Sequence, residues 1–146
     1  MGLIADIGSG RTAIDTSLFI YFMEEDRRFL PLIEPLFVEA DAGARELVTF
    51  ALTLLEVLVV PYRAGDRSLA DRYEQLLTRS RGMRVFDLSR NQLRYAAQLR
   101  AATGVKTPDA LQLAAAIASG CSAFVTNDRR IPRISGMRVL QLTDYA

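Results

Sequence analysis

An α/β fold, with a mainly parallel sheet and helices on both faces, is what this sequence predicts. Three observations predict it. Short apolar, β-rich runs alternate with longer helical patterns along the chain, as crossover helices between parallel strands require. Acids recur where such runs end, as in T-A-I-D at 12–15 and F-V-T-N-D at 124–128. The stretch 106–130, K-T-P-D-A-L-Q-L-A-A-A-I-A-S-G-C-S-A-F-V-T-N-D-R-R, reads as helix, tight turn, buried strand and acidic tip in a single unit.

Residues 1–11, M-G-L-I-A-D-I-G-S-G-R, read as an extension or loop ahead of the first strand. The G-S-G lacks both the Walker lysine and the third dinucleotide glycine, so it is no phosphate loop. A short strand over 12–15 ends in Asp15, and Thr16 and Ser17 open an apolar helix running to Met23. Asp6, in L-I-A-D-I, is the register rival of Asp15 but has no helix-opening hydroxyl after it. Residues 24–28 are a solvated helix end. The run 29–38, with Pro31 and Pro35, reads as a packed connection with a broken helix, the alternative being a partner groove. After a turn at 41–43, the alternating run 46–52 is the second strand. Thr53 then caps a helix, with Glu56 three residues on in the capping-box position. Glu56 also stands among leucines and valine, where a carboxylate is costly to bury unless it is paired or on a metal.

An amphipathic helix follows over 66–79, then a third strand over 83–88 with Asp87 near its end. Ser89 caps a helix to Thr103, which Gly104 ends; its Arg90, Arg94 and Arg100 largely share a face. Thr107 is the expected N-cap of the next helix, with Pro108 at its first position and Asp109 beside the positive end of the helix dipole. Gly120 stops that helix. Residues 121–125 form a buried strand, and 137–142 a last short one.

Composition narrows the chemistry. At 146 residues the chain fits one domain, 1–146, with 1–11 as its N-terminal extension. No apolar run approaches the ~18 uncharged residues of a membrane span, and the N-terminus lacks a signal-peptide pattern, so a cytoplasmic protein is expected. One cysteine allows no internal disulfide, and the absence of histidine leaves nothing from which to build a zinc site. Ser-His-Asp and Cys-His chemistry are excluded for the same reason. Hydrolysis would rest on carboxylates and a hard, oxygen-liking metal. The net charge of +1 conceals a split: residues 1–74 carry thirteen acids and seven bases, residues 75–146 four acids and eleven bases. Seventeen of the eighteen bases are arginine, which suits bidentate phosphate contacts, although a general preference for arginine explains the abundance equally well. The split favours a nucleic-acid surface, with Arg129 and Arg130 directly after Asp128 as its candidates.

Four acids stand apart from the polar runs: Asp15, Glu56, Asp109 and Asp128. Each lies in apolar sequence, at a strand's carboxyl end or in a helix's first turn. In a doubly wound sheet both places line the same edge, where ligands bind. Four carboxylates gathered without cations would repel one another and take up protons. Mg²⁺ or Mn²⁺ removes that conflict, and a bound cation of this kind activates water and neutralises charge on a phosphodiester.

I-D-T-S at 14–17, L-L-E at 54–56, T-P-D-A-L-Q-L-A-A-A at 107–116 and T-N-D at 126–128 together resemble the PIN domain. They are most similar to the toxin ribonucleases of VapBC toxin–antitoxin pairs. The likeness covers roughly residues 12–142 and is most specific over 107–128. It implies a three-layer α/β/α fold with a sheet of about five strands. It also implies an Mg²⁺- or Mn²⁺-dependent endoribonuclease acting on RNA, a homodimer, and a cognate VapB-type antitoxin whose C-terminal segment lies across the active-site groove. By the same resemblance Asp15 and Asp109 are the principal metal ligands, Asp128 holds metal directly or through water, and Glu56 orients water or a second ion. Thr126 matches the hydroxyl beside the fourth acid, and Thr16 or Ser17 the one after the first. Three alternatives stay open: a PIN domain used in RNA processing, a non-catalytic interaction module of the same fold, and a phospho-acceptor fold with Asp15 as nucleophile. The last is disfavoured because T-S, not a second acid, follows Asp15.

Overall fold

Five strands, all paired in parallel, run in the order β3-β2-β1-β4-β5 in a computed structural model that describes residues 2–146; Met1 of the expected extension lies outside it. The strands are β1 (Thr12–Ile14), β2 (Leu47–Phe50), β3 (Met83–Phe86), β4 (Ala123–Thr126) and β5 (Arg138–Gln141). Alternation along each strand divides the core between two helical layers. Ile14, Leu47 and Val125 face α2 (Thr16–Met23), α3 (Leu30–Asp41), α4 (Leu52–Arg63) and α5 (Arg67–Arg79). Ala13, Val48 and Phe124 face α6 (Arg90–Thr103) and α7 (Thr107–Ala118). β1, β2 and β4 are buried on both faces, as expected for 121–125 but not for the second strand, which reads as alternating.

Local chemistry fixes most element ends. Asp15, Asp66 and Ser89 each accept a backbone N–H at the start of α2, α5 and α6. Gly104 ends α6 in the left-handed region at φ 73°. At the end of α7, Gly120 (φ 73°) donates to the Ile117 carbonyl and Cys121 to the Ala116 carbonyl, the paired closure that turns the chain straight into β4. The helix, turn and strand expected over 106–126 are thus all present.

Several expectations need correction. Residues 1–11 are not wholly loop: Leu3–Ile7 form a short helix, α1, with Leu3 and Ile7 buried. Asp6 sits in α1, where it accepts the Tyr145 hydroxyl, so it is no rival of Asp15. The run 29–38 is not a broken helix. Pro31 occupies the first turn of α3, where a missing N–H is tolerated, and Pro35 is accommodated inside it. Burial of Ile33, Leu36 and Phe37 holds that helix in place. Strands β2 and β3 end earlier than expected, leaving Ala51 as the cap of α4 and Asp87 outside the ladder. Lys106, not Thr107, takes the N-cap position of α7. Arg90, Arg94 and Arg100 are all exposed on α6. Arg94 donates to Asn91 at 2.8 Å, and Arg100 donates to the Val105 carbonyl at 3.0 Å, closing the turn before α7. Among the described residues no helix is long and apolar enough to cross a membrane.

Candidate active site

Four distant segments deliver carboxylates to the carboxyl edge of the sheet. Asp15 follows β1, Glu56 lies on α4, Asp109 stands in the first turn of α7, and Asp128 follows β4 by two residues. All four line one open cleft of about 390 Å³, together with Thr16, Ser17 and Arg130. The convergence expected from the sequence is therefore present.

Asp15 forms the floor. Its Oδ1 accepts the Ser17 amide at 3.1 Å and the Ser17 hydroxyl, which makes the same carboxylate the cap of α2. Its Oδ2 accepts the Thr126 hydroxyl, whose oxygen in turn accepts the Asp128 amide at 3.0 Å. Burial pushes the Asp15 carboxyl above the usual carboxylate range; the Ser17 and Thr126 donors oppose that rise, and the charge of Asp109 adds to it. Asp109 is raised as well, first by burial and then by Asp128, with Glu56 adding and Arg130 and Lys106 opposing. Asp128 moves the other way. Arg130 grips it with Nε 3.0 Å from Oδ1 and Nη2 2.9 Å from Oδ2, and holds its carboxyl below the usual range.

Glu56 is not in a capping box. Its Oε1 accepts the Thr16 hydroxyl at 2.9 Å. Thr53, expected as the cap of α4, is instead fully buried in the first turn, and no side chain caps that helix. The Thr53 hydroxyl lies 3.1 Å from that of Thr16 and 2.9 Å from that of Thr49, and accepts Gln112 Nε2 at 2.6 Å. Gln112 is anchored by the Phe50 amide, which donates to its Oε1 at 3.2 Å. Because Thr16 gives its hydrogen to Glu56, it must take one from Thr53, so a buried polar network sets the orientation of Glu56. The sequence reading missed Thr49, Thr53 and Gln112 in this role. The one available signal was a lone glutamine in an otherwise alanine- and leucine-rich helix.

Of the two arginines singled out, Arg130 lines the cleft. Arg129 turns away, donating to Thr143 and pairing with Asp144 in the turn after β5. Asn127 and Tyr21 also line the cleft and were not expected there; Asn127 Nδ2 donates to the Tyr21 hydroxyl at 3.1 Å. The buried Oδ1 of Asn127 has no partner among the described residues. The four carboxylates of the cleft offer oxygen donors, the kind that suits a hard divalent cation. Among the described residues no three acids already stand as a ready-made ligand set, and Asp128 is turned to Arg130 instead.

Comparison with known proteins agrees with this fold. No curated protein sequence matches the chain. Solved structures similar to it include VapBC2 from Rickettsia felis bound to a promoter DNA fragment, at 16% identity and a TM-score of 0.67, covering 90% of this chain and 98% of that one. A toxin–antitoxin complex from Klebsiella pneumoniae is similar at 18% identity and a TM-score of 0.63, covering 90% and 97%. DNA-bound VapBC from Salmonella typhimurium is similar at 20% identity and a TM-score of 0.63, covering 90% and 98%. Likeness at these identities speaks to the fold. The profile of the PIN domain matches residues 12–137, most of the length, and the chain belongs to the PIN domain family.

Proposed function

We propose that this protein is a divalent-metal-dependent endoribonuclease, the toxin of a VapBC-type pair, held inactive by a cognate antitoxin and working as a homodimer. One observation carries the reading: acids from four separate segments line a single cleft at the sheet's carboxyl edge. Without a cation that arrangement is unfavourable, because burial and mutual repulsion raise both Asp15 and Asp109. Family membership and the VapBC structures it resembles support a nuclease with an antitoxin partner. The RNA substrate, the choice between Mg²⁺ and Mn²⁺ and the dimer belong to the proposal.

In this reading Asp15, Asp109 and Asp128 hold the ion. When bound, it supplies an activated water and neutralises charge building on the phosphodiester. The chain's own groups do the rest. Ser17 and Thr126 fix both oxygens of Asp15, so that ligand needs no reorganisation. Thr16 keeps Glu56 aimed at the cleft, where its free oxygen accepts a proton from attacking water. Arg130, at the rim, exchanges Asp128 for a substrate phosphate.

The test is cleavage of structured RNA by the purified chain. Cleavage should require Mg²⁺ or Mn²⁺, stop with EDTA, and fall at least about 100-fold in Asp109→Asn. Undiminished cleavage by that variant would reject the assignment.

A further inference from the structure

The amino ends of β1, β2 and β3 open onto a second concavity, at the sheet edge opposite the acid cleft. Three loops wall it: residues 8–11 ahead of β1, 42–46 ahead of β2 and 80–82 ahead of β3. Its volume is about 410 Å³, enough for a nucleotide-sized group. Arg11, Arg45 and Arg81 line it, and Glu46 is its one acid among the described residues. Glu46 is shared, with Arg11 Nε at 2.9 Å and Arg84 Nη1 at 3.2 Å. Arg45, only 7% exposed, pairs with Glu39 at 2.6 Å and also donates to Thr12 at 3.2 Å. Three guanidinium groups and one carboxylate thus line the pocket, with Glu39 and Arg84 pairing from outside it, leaving a positive excess at a concave surface that focuses its field.

Arg81 is the group this arrangement leaves over. Among the described residues its guanidinium makes no hydrogen bond and no ion pair, and it lies over the turn at Gly43. A Cβ at Gly43 would come within 3.0 Å of the guanidinium carbon and 3.1 Å of Nε, and φ there is +78°. A side chain at 43 would displace Arg81 from the pocket. Gly82 is needed for a different reason: a Cβ there would meet the Ala40 and Arg45 carbonyls at 2.4 Å, so the backbone packs closely where the loops meet. At Gly43 the turn carries no side chain, and the planar fork of Arg81, unpartnered among the described residues, lies over it. Such a fork matches the oxygens of a phosphate.

We infer that this pocket binds a phosphate oxyanion, with Arg81 as the fork that engages it and Arg11 and Arg45 as fixed lining charges. The inference stands apart from the nuclease reading, since no residue of the acid cleft takes part. Its ligand is either the phosphate group of a free nucleotide or a phosphodiester of RNA passing around the domain.

The test is calorimetric titration of the full chain with inorganic pyrophosphate, in metal-free buffer at low salt. Saturable 1:1 binding is expected, weakened about tenfold or more in Arg81→Gln and weakened by added salt. Ser9→Asp, which puts a carboxylate at the rim, should abolish it. Arg63→Gln, on an exposed helix end elsewhere, should leave it unchanged. Absence of binding by the wild type, equal binding by Arg81→Gln, or equal loss in Arg63→Gln would overturn the inference. So would loss in Arg130→Gln alone, which would put the anion in the acid cleft. Displacement of pyrophosphate by an oligoribonucleotide lacking a terminal phosphate assigns the site to RNA backbone; displacement by nucleoside triphosphates alone assigns it to free nucleotide.

Discussion

The Thr126 hydroxyl donates to Asp15 and accepts the Asp128 amide at 3.0 Å, tying the acid after the first strand to the one after the fourth. Thr126 is fully buried, so Thr126→Val keeps the shape and removes both bonds. The variant should lose about 1–3 kcal/mol of stability from the unsatisfied partners. It should also bind Mn²⁺ more weakly, because Asp15 loses a donor that opposes its raised pKa. Urea unfolding and Mn²⁺ titration check both effects, and Thr126→Ser should restore most of each.

Asp109 and Asp15 predict a pH dependence. Both have folded pKa values raised above the ordinary 3.8. Ionising them therefore costs more in the folded chain than in the unfolded one. The stability they contribute is complete below 3.8 and is lost as pH climbs through the raised values. In metal-free buffer Asp109→Asn should melt higher than the wild type near neutral pH, with the difference vanishing in acid. Mg²⁺ should raise the wild-type melting temperature more at neutral pH than near pH 4. A wild-type chain indifferent to Mg²⁺ across that range would argue against a shared cation site.

Arg130 occupies both oxygens of Asp128, so it competes with any cation for that ligand. Arg130→Gln should bind Mn²⁺ a few-fold more tightly yet bind uncleavable RNA more weakly. Its stability should stay near that of the wild type, because Arg130 is 66% exposed. Unchanged affinity for both ligands would deny the arginine its place at the rim.

Thr53→Val breaks the network behind Glu56, stranding Gln112 Nε2 in a buried site. A stability cost of about 1–3 kcal/mol is expected, with RNA cleavage reduced through Glu56 while Mn²⁺ affinity stays near wild type. Parallel loss of cleavage and metal affinity would instead assign Glu56 to the metal.

Much of this was legible in the chain. Strand ends and helix first turns share one edge in a parallel sheet, so the spacing of Asp15, Glu56, Asp109 and Asp128 was enough to gather them. Side-chain direction was not legible. Thr53 reads as a cap because it precedes an apolar run. In the fold, β2 ends early and the hydroxyl turns inward to Thr49 and Gln112, contacts 4 and 59 residues away in sequence. Arg129 and Arg130 are neighbours of one type, yet Asp144 draws one away while Asp128 keeps the other in the cleft. The helix over 30–41 was hidden by its prolines, whose local cost is outweighed by burial of Ile33, Leu36 and Phe37.

Everything rests on acids distant in sequence sharing a single cation. Crystals of the purified chain soaked in Mn²⁺ and measured at the manganese edge test this directly. The account predicts an anomalous peak in the cleft, bonded to carboxylate oxygens of Asp15 and Asp109 and lost in Asp109→Asn. A fully soaked crystal with no manganese between those two side chains would contradict it.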